Sequence, residues 1–277
     1  MSAKQLLLEA TRTLAHAGCD TPRLDAECLL ANAWGISRTQ LIMRMLEPVP
    51  EHIAQRFQAM VARRARREPL AYITGRQEFW SRSFTVNRHT LIPRPETEHL
   101  IEAALRHLPN KERPWFGWDI GTGSGCIAIT LACEYPNATI LASDISLAAL
   151  RVAQANARRH GVLHRMRWLC ADMLQPIAAN ARFQLIIANP PYVAGHELPA
   201  LAPELSFEPI DALTDHADGL RHLTRILRAA PRHLAPGGRI IVETGTCGLP
   251  ATPEGMECVE EIRDLAGRLR GAVYRSR

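Results

Sequence analysis

Asp119-Ile120-Gly121-Thr122-Gly123-Ser124-Gly125 is the stretch whose reading decides the fold. It follows a strand-like run over 115–120 and opens a helical stretch over 124–134. A strand that turns tightly into a helix puts the turn at the carboxyl edge of a parallel sheet, where ligands bind. Glycines there let the backbone approach a ligand with no Cβ in the way. The spacing is G-x-G-x-G rather than the G-x-G-x-x-G of the dinucleotide fingerprint. It lacks the pyrophosphate-cradling register and suits a ligand without phosphates.

Around this loop the chain alternates. Strand-like runs at 139–144, 167–170, 185–188 and 239–243 are separated by helical stretches that include 147–159 and 220–234. That is the pattern of a parallel sheet covered by helices. Upstream, Glu78-Phe79-Trp80 and Ser83-Phe84-Thr85-Val86 read as a hairpin. The first 75 residues read as helices. Thr21-Pro22 looks like a cap with proline at the first helical position, and Leu24, Cys28 and Leu29 mark one face. Gly35 ends that segment and Ser37 caps the next, which carries Leu41 and Met45. A longer helix carries Ile53, Phe57, Met60 and Val61 at helical spacing. It closes on Arg63, Arg64, Arg66 and Arg67, which read either as a solvated helix end favoured by the dipole or as a contact with an acidic partner.

Composition excludes several classes. The 277 residues are 47% hydrophobic and 22% charged, enough for a sizeable core and unlike a disordered chain. No apolar run approaches the roughly 20 residues of a membrane helix. Leu6-Leu7-Leu8 give way to Glu9 and Arg12, so no signal-peptide core is seen and a soluble, cytoplasmic protein is expected. The net charge of +5 invites a nucleic-acid reading, but it divides as +3 over 1–75 and +2 over the remainder, with no block of like charge. The seven cysteines include no C-x-x-C pair and the eleven histidines no H-E-x-x-H, so no metal site is expected.

Two further features carry chemistry. Asp144 ends the strand after the glycine loop, where a carboxylate can accept both ribose hydroxyls of a nucleoside. Asp172 is placed to meet an adenine amino group, with Met173 against the ring. Loop and Asp144 together read as a site for S-adenosyl-L-methionine. Asn189-Pro190-Pro191-Tyr192 then follows the apolar run 185–188. A planar amide or amine nitrogen is a poor nucleophile because its lone pair is delocalised. The Asn189 side-chain oxygen and the Pro190 carbonyl can each accept one N–H of such an NH₂ group and aim the nitrogen at a sulfonium methyl. Both acceptors bind more strongly as the nitrogen becomes positive. Tyr192 can stack on the flat group. This pattern points to an amino-methyltransferase and leaves glutamine amides, adenine amines and cytosine amines open.

With these residues the chain resembles the peptide chain release factor N5-glutamine methyltransferases. The resemblance rests on Glu68-Pro69-Leu70-Ala71-Tyr72-Ile73-Thr74-Gly75, Glu78-Phe79-Trp80, Leu91-Ile92-Pro93-Arg94-Pro95-Glu96-Thr97-Glu98, the glycine loop and Asn189 to Tyr192. It implies an α/β fold: a Rossmann-like S-adenosylmethionine-dependent methyltransferase domain over 93–277, a small N-terminal helical domain over 1–75 that helps hold the protein substrate, and a β-hairpin linker over 76–92. It implies cofactor contacts from Gly121, Thr122, Gly123, Ser124, Gly125, Asp144, Asp172, Met173 and Asn189. Substrate contacts would come from Asn189, Pro190, Pro191 and Tyr192, with Asn189, Pro190 and Tyr192 catalytic. The implied substrate is the glutamine of a Gly-Gly-Gln motif in class 1 release factors, with no membrane and no sequence-specific nucleic acid as partner.

Arg94 to Glu98 is the stretch that favours release factors over ribosomal proteins as substrate. It reads either as a plain helix start or as a ligand contact. An adenine-amino methyltransferase of DNA or RNA shares the Asn-Pro-Pro-Tyr logic and flips its base into the pocket. Against it stand the modest charge and the lack of a target-recognition region or a basic, aromatic-rich face in 1–75. A non-catalytic S-adenosylmethionine-binding module would need no intact Asn189 motif. One departure from the family stands out. Where a crossover helix is usual, 244–256 holds Gly245, Gly248, Pro250, Pro253 and Gly255, so an irregular connection is expected before final strands near 257–263 and 271–274.

Overall fold

The computed structural model describes residues 1–173, 175 and 177–277. Contacts divide them into two compact units, 1–76 with 202–207, and 77–201 with 208–277.

The first unit is helical: α1 (Ala3–His16), α2 (Pro22–Trp34), α3 (Arg38–Met43), α4 (Glu51–Ala65) and α5 (Leu70–Thr74). Ser2 and Ser37 each form a capping box with the glutamine three residues on, which starts α1 and α3. Gly35 and Gly75 end α2 and α5 in the left-handed conformation. Leu7, Leu14, Leu29, Leu30, Leu41 and Phe57 form a buried core with Met60 and Val61. Two expectations need correction. Thr21 caps no backbone group and instead donates its hydroxyl to Asp25 Oδ1 at 2.8 Å. Leu24 is exposed, because the inward stripe of α2 runs through Asp25, Ala26, Leu29 and Leu30.

The arginine cluster is not a solvated helix end. Arg64 is buried, with Nε on Asp25 Oδ2 at 2.7 Å and a terminal nitrogen on Glu204 Oε1 at 2.9 Å. Arg67 grips both oxygens of Glu204 at 2.7 and 2.8 Å. Arg63 pairs with Glu68 in two bonds, and Arg66 is left exposed. The alternation of basic residues at the end of α4 concealed acidic partners lying 39 and 140 residues away.

A hairpin of β1 (Arg76–Phe79) and β2 (Arg82–Thr85), turned through Trp80 and Ser81 at positive φ, opens the second unit from Gln77 on. A 3-10 turn over Pro95–Thr97 leads into α6 (Glu98–His107). Then come β3 (Trp115–Ile120), α7 (Cys126–Glu134), β4 (Ala138–Asp144), α8 (Leu147–Arg159), β5 (Met166–Cys170), β6 (Phe183–Ala188), α9 (Arg221–Ala229), β7 (Leu234–Glu243), β8 (Met256–Arg263) and β9 (Leu269–Ser276). The seven strands run in the order β5-β4-β3-β6-β7-β9-β8, with β9 antiparallel to both neighbours and the remaining pairs parallel. Central strands read as near-continuous apolar runs because helices cover both faces of a parallel sheet.

The expected helix over 220–234 stops early. Pro231 sits in a 3-10 turn over Ala230–His233, and Leu234 already belongs to β7. The helix after the glycine loop begins two residues late, at Cys126, because Gly125 at φ +83° is its left-handed cap. The connection 244–255 contains no helix, as its glycines and prolines predict. Cys170 and Cys258 are exposed.

Candidate active site

Strand register brings the site together. Ile120 lies opposite Ser143 and Ala188, and Ala188 lies opposite Val242. The next residues along, Gly121, Asp144, Asn189 and Glu243, therefore emerge side by side at the carboxyl edge. The chain also reverses its direction of winding here, since β4 and β6 flank β3.

A cavity of about 540 Å³ lies at this edge. Gly121, Gly123 and Asp144 line one part, Asp172 and Met173 another, and Asn189, Pro190 and Pro191 a third. The three loop glycines do different work. An added Cβ at Gly121 or Gly123 would enter open space, at φ values of +74° and +55°. At Gly125 it would stand 2.7 Å from Ile129 Cδ1 and 3.0 Å from Ala153 Cβ, so this glycine lets α7 pack on α8. Thr122 and Ser124 are buried, and the Thr122 hydroxyl donates to Asp119 Oδ2 at 2.7 Å. These two side chains and Gly125 are absent from the cavity lining and support the loop from within. Asn156 fixes it further, donating to the Ser124 carbonyl at 2.9 Å while bonding both backbone groups of Thr85.

Asp144 accepts the Gly123 N–H on Oδ2 at 2.9 Å and the Ser146 N–H on Oδ1 at 2.8 Å. Burial raises its pKa, and those two amides oppose the rise. Burial pushes the Asp119 carboxyl up to about 7, against the bonds from Thr122 and the Ala128 N–H and with the Asp144 charge adding to the rise. Beside Asp144, Ile145 is 69% exposed and lines the cavity with apolar surface. Asp172 is half-exposed and shares its carboxylate with Arg225 at 3.2 Å.

Asn189 donates its side-chain N–H to the Thr97 hydroxyl oxygen at 3.1 Å, which directs its carbonyl oxygen elsewhere. Tyr192 is not among the lining residues. Its phenol donates to Glu243 Oε1 at 3.0 Å, and its pKa is raised by burial and by the Glu243 charge. Arg94 pairs with the buried Glu208, whose other oxygen accepts the Ile92 N–H at 2.9 Å. The Arg94–Glu98 stretch is thus both a helix start and, through Thr97, part of the site's support. Sequence reading missed Ile145, Glu208 and Glu243 as site residues and took in Thr97 only as part of the Arg94–Glu98 stretch. Ile145 could have been found from its place next to Asp144, and Glu243 from its place at a strand end.

S-adenosyl-L-methionine fits these residues. It carries no phosphate, the two bare glycines give it an unobstructed backbone, Asp144 offers a carboxylate at a fixed angle, and Ile145 an apolar face. A Gly123→Val variant would carry a β-branched side chain at positive φ and aim it into this space. It should weaken cofactor binding by about tenfold or more in calorimetry, about 1.4 kcal/mol, because the side chain would take up space in the cavity. Unchanged affinity would show that the cradle lies elsewhere.

Fold and cavity define a Rossmann-like S-adenosylmethionine-dependent methyltransferase. Comparison with known proteins agrees: the family described as PrmC N-terminal domain matches residues 5–75, and the Methyltransferase small domain matches 101–216. The release factor glutamine methyltransferase of Cereibacter sphaeroides is 43% identical over 277 residues, covering 98% of this chain and 97% of that one. That of Moorella thermoacetica is 42% identical over 276 residues, with the same coverage. The chain belongs to the release factor glutamine methyltransferase family. Among solved structures, the hMettl16 catalytic domain in complex with MAT2A 3'UTR hairpin 1 shares the fold, with a TM-score of 0.55 at 15% identity over 81% of this chain and 80% of that one.

Proposed function

We propose that this protein transfers the methyl group of S-adenosyl-L-methionine to the side-chain amide nitrogen of the glutamine in the Gly-Gly-Gln motif of class 1 peptide chain release factors. The observation that carries the reading is Asn189, which lines the cavity with its N–H given to Thr97 and its oxygen left for an incoming NH₂ group.

When bound, the cofactor supplies an electrophilic sulfonium methyl. Gly121, Gly123 and Asp144 would hold it, Ile145 and Met173 would offer apolar surface to its flat part, and Asp172, paired with Arg225, would be the acceptor for its amino group. The Asn189 oxygen and the Pro190 carbonyl accept the two N–H groups of the substrate amide. This turns the nitrogen lone pair toward the methyl and stabilises positive charge as it grows. Pro191 stiffens the loop, having no N–H and a fixed φ. Tyr192 lies outside the cavity lining and closes the loop from behind, its phenol held by Glu243. No general base is needed before attack, because the proton becomes acidic only once the nitrogen carries the methyl.

The helical residues 1–75 help hold the protein substrate, and the protein works in the cytoplasm; among the described residues no helix is long and apolar enough to cross a membrane. The reading is tested by offering labelled S-adenosyl-L-methionine with a purified class 1 release factor and, separately, with duplex DNA. Label should enter the release factor. Label entering DNA instead would favour the adenine-amino reaction.

A further inference from the structure

The connection 244–255, which holds no helix, sets three successive residues against the chain around Tyr192. Gly245 comes first: an added Cβ there would stand 2.6 Å from Tyr192 Cδ2 and 3.0 Å from its Cε2. Thr246 donates its hydroxyl to Glu197 Oε1 at 2.9 Å. The Cys247 thiol donates to the Gly219 carbonyl at 3.6 Å. Gly219 in turn abuts the Tyr192 carbonyl, with which an added Cβ would collide. The ring is pinned at its far end as well, where the phenol donates to Glu243 Oε1 at 3.0 Å.

Gly245 is not among the glycines at positive φ, so its backbone conformation suits any residue. What requires glycine is the ring: the three nearest atoms to an added Cβ all belong to Tyr192. A ring held at its tip and at one flank has little room to swing clear of a new methyl group. Displacement would pass along the main chain into Pro191 and Pro190, whose fixed φ angles make the loop stiff. It would arrive at the Pro190 carbonyl and the Asn189 side chain, where a misplacement of about 1 Å is costly. We propose that Gly245 is a positioning residue for methyl transfer: bare of a side chain, it lets the connection close on the Tyr192 ring and so fixes the loop that carries the Asn189 and Pro190 acceptors.

Gly245 and Tyr192 are both absent from the cavity lining, so this contact acts on the acceptors through the loop and leaves the cofactor's own contacts alone. Its loss should therefore show in the rate of transfer and spare cofactor affinity.

The inference rests on the proposed reading of Asn189 and Pro190 as the acceptors of the substrate amide. That reading is tested by the wild type in the same release-factor assay, so its failure would appear there and not in the variants alone. Gly245→Ala should lower kcat by about tenfold or more, with the Kd for S-adenosyl-L-methionine in calorimetry within about twofold. Its thermal midpoint should fall by about 2–4 °C, as when a packed site receives one extra methyl group. In a Tyr192→Ala background the ring is gone. There the same change should cost less than about twofold in kcat and leave the midpoint unchanged or slightly raised. A Gly245→Ala kcat within about twofold of wild type would overturn the proposal, as would a Tyr192→Ala kcat equal to that of wild type. So would an equal fall in midpoint in both backgrounds, since the methyl group would then be meeting something other than Tyr192.

Discussion

Replacing Asn189 by Ala is expected to lower methyl transfer by about 10²–10³-fold while leaving cofactor affinity within a few-fold, as when one preorganised polar group is removed from an active site. The effect is large because the interaction strengthens as the amide nitrogen becomes positive, so its loss is felt mainly in the transition state. It should appear in kcat and kcat/KM together. Cofactor binding survives because Gly121, Gly123 and Asp144 emerge from other strands, and Asp144 is oriented by the Gly123 and Ser146 amides. Turnover near the wild-type value would remove Asn189 from the chemistry. Calorimetry with the cofactor alone separates that outcome from a general collapse of the pocket.

The second large effect concerns stability. Arg64→Ala should cost about 3–5 kcal/mol, because it leaves buried charges without their partner. The Asp25 side chain is 5% exposed and, among the described residues, would keep the Thr21 hydroxyl as its one side-chain donor. Glu204 would retain Arg67. Burial alone would raise the Glu204 pKa, yet the bonds from Arg67 and Arg64 bring it down to about 2. The sign follows directly: the folded state binds the Glu204 proton more weakly than the unfolded chain, whose value is near 4.5. This contribution is complete above that value and is lost as the pH falls toward about 2. Denaturant titration of wild type and variant near neutral pH measures the difference. A loss below about 1 kcal/mol would mean that the network is no stronger than a surface pair.

Much of this was legible in the sequence, for physical reasons. A parallel sheet demands apolar strands and amphipathic helices in alternation, and residues 115–120 and 147–159 were bounded by that pattern alone. The glycine loop was legible because glycine adopts positive φ at least cost and leaves no Cβ in a ligand's way. Its division of labour was not, since the contact of Gly125 with Ala153 arises from packing across 28 residues. Asp144 and Asn189 were readable from their positions after strands. Glu243 occupies an equivalent position but carries no motif, and its contact with the Tyr192 phenol becomes visible only in the folded chain. The partners of Arg64 were not legible because periodicity reports which face of a helix is polar, not which distant carboxylates will cover it. The early end of the helix at 220–234 is a local matter, set by Pro231 and the start of β7.

The central claim, that a glutamine side chain is the methyl acceptor, is tested most directly by mapping the methyl group on a release factor after reaction with this protein and S-adenosyl-L-methionine. Peptide mass spectrometry should find one added methyl on the Gly-Gly-Gln glutamine, and none when that glutamine is replaced by alanine. A methyl group on any other residue, or one that persists after the replacement, would contradict the account.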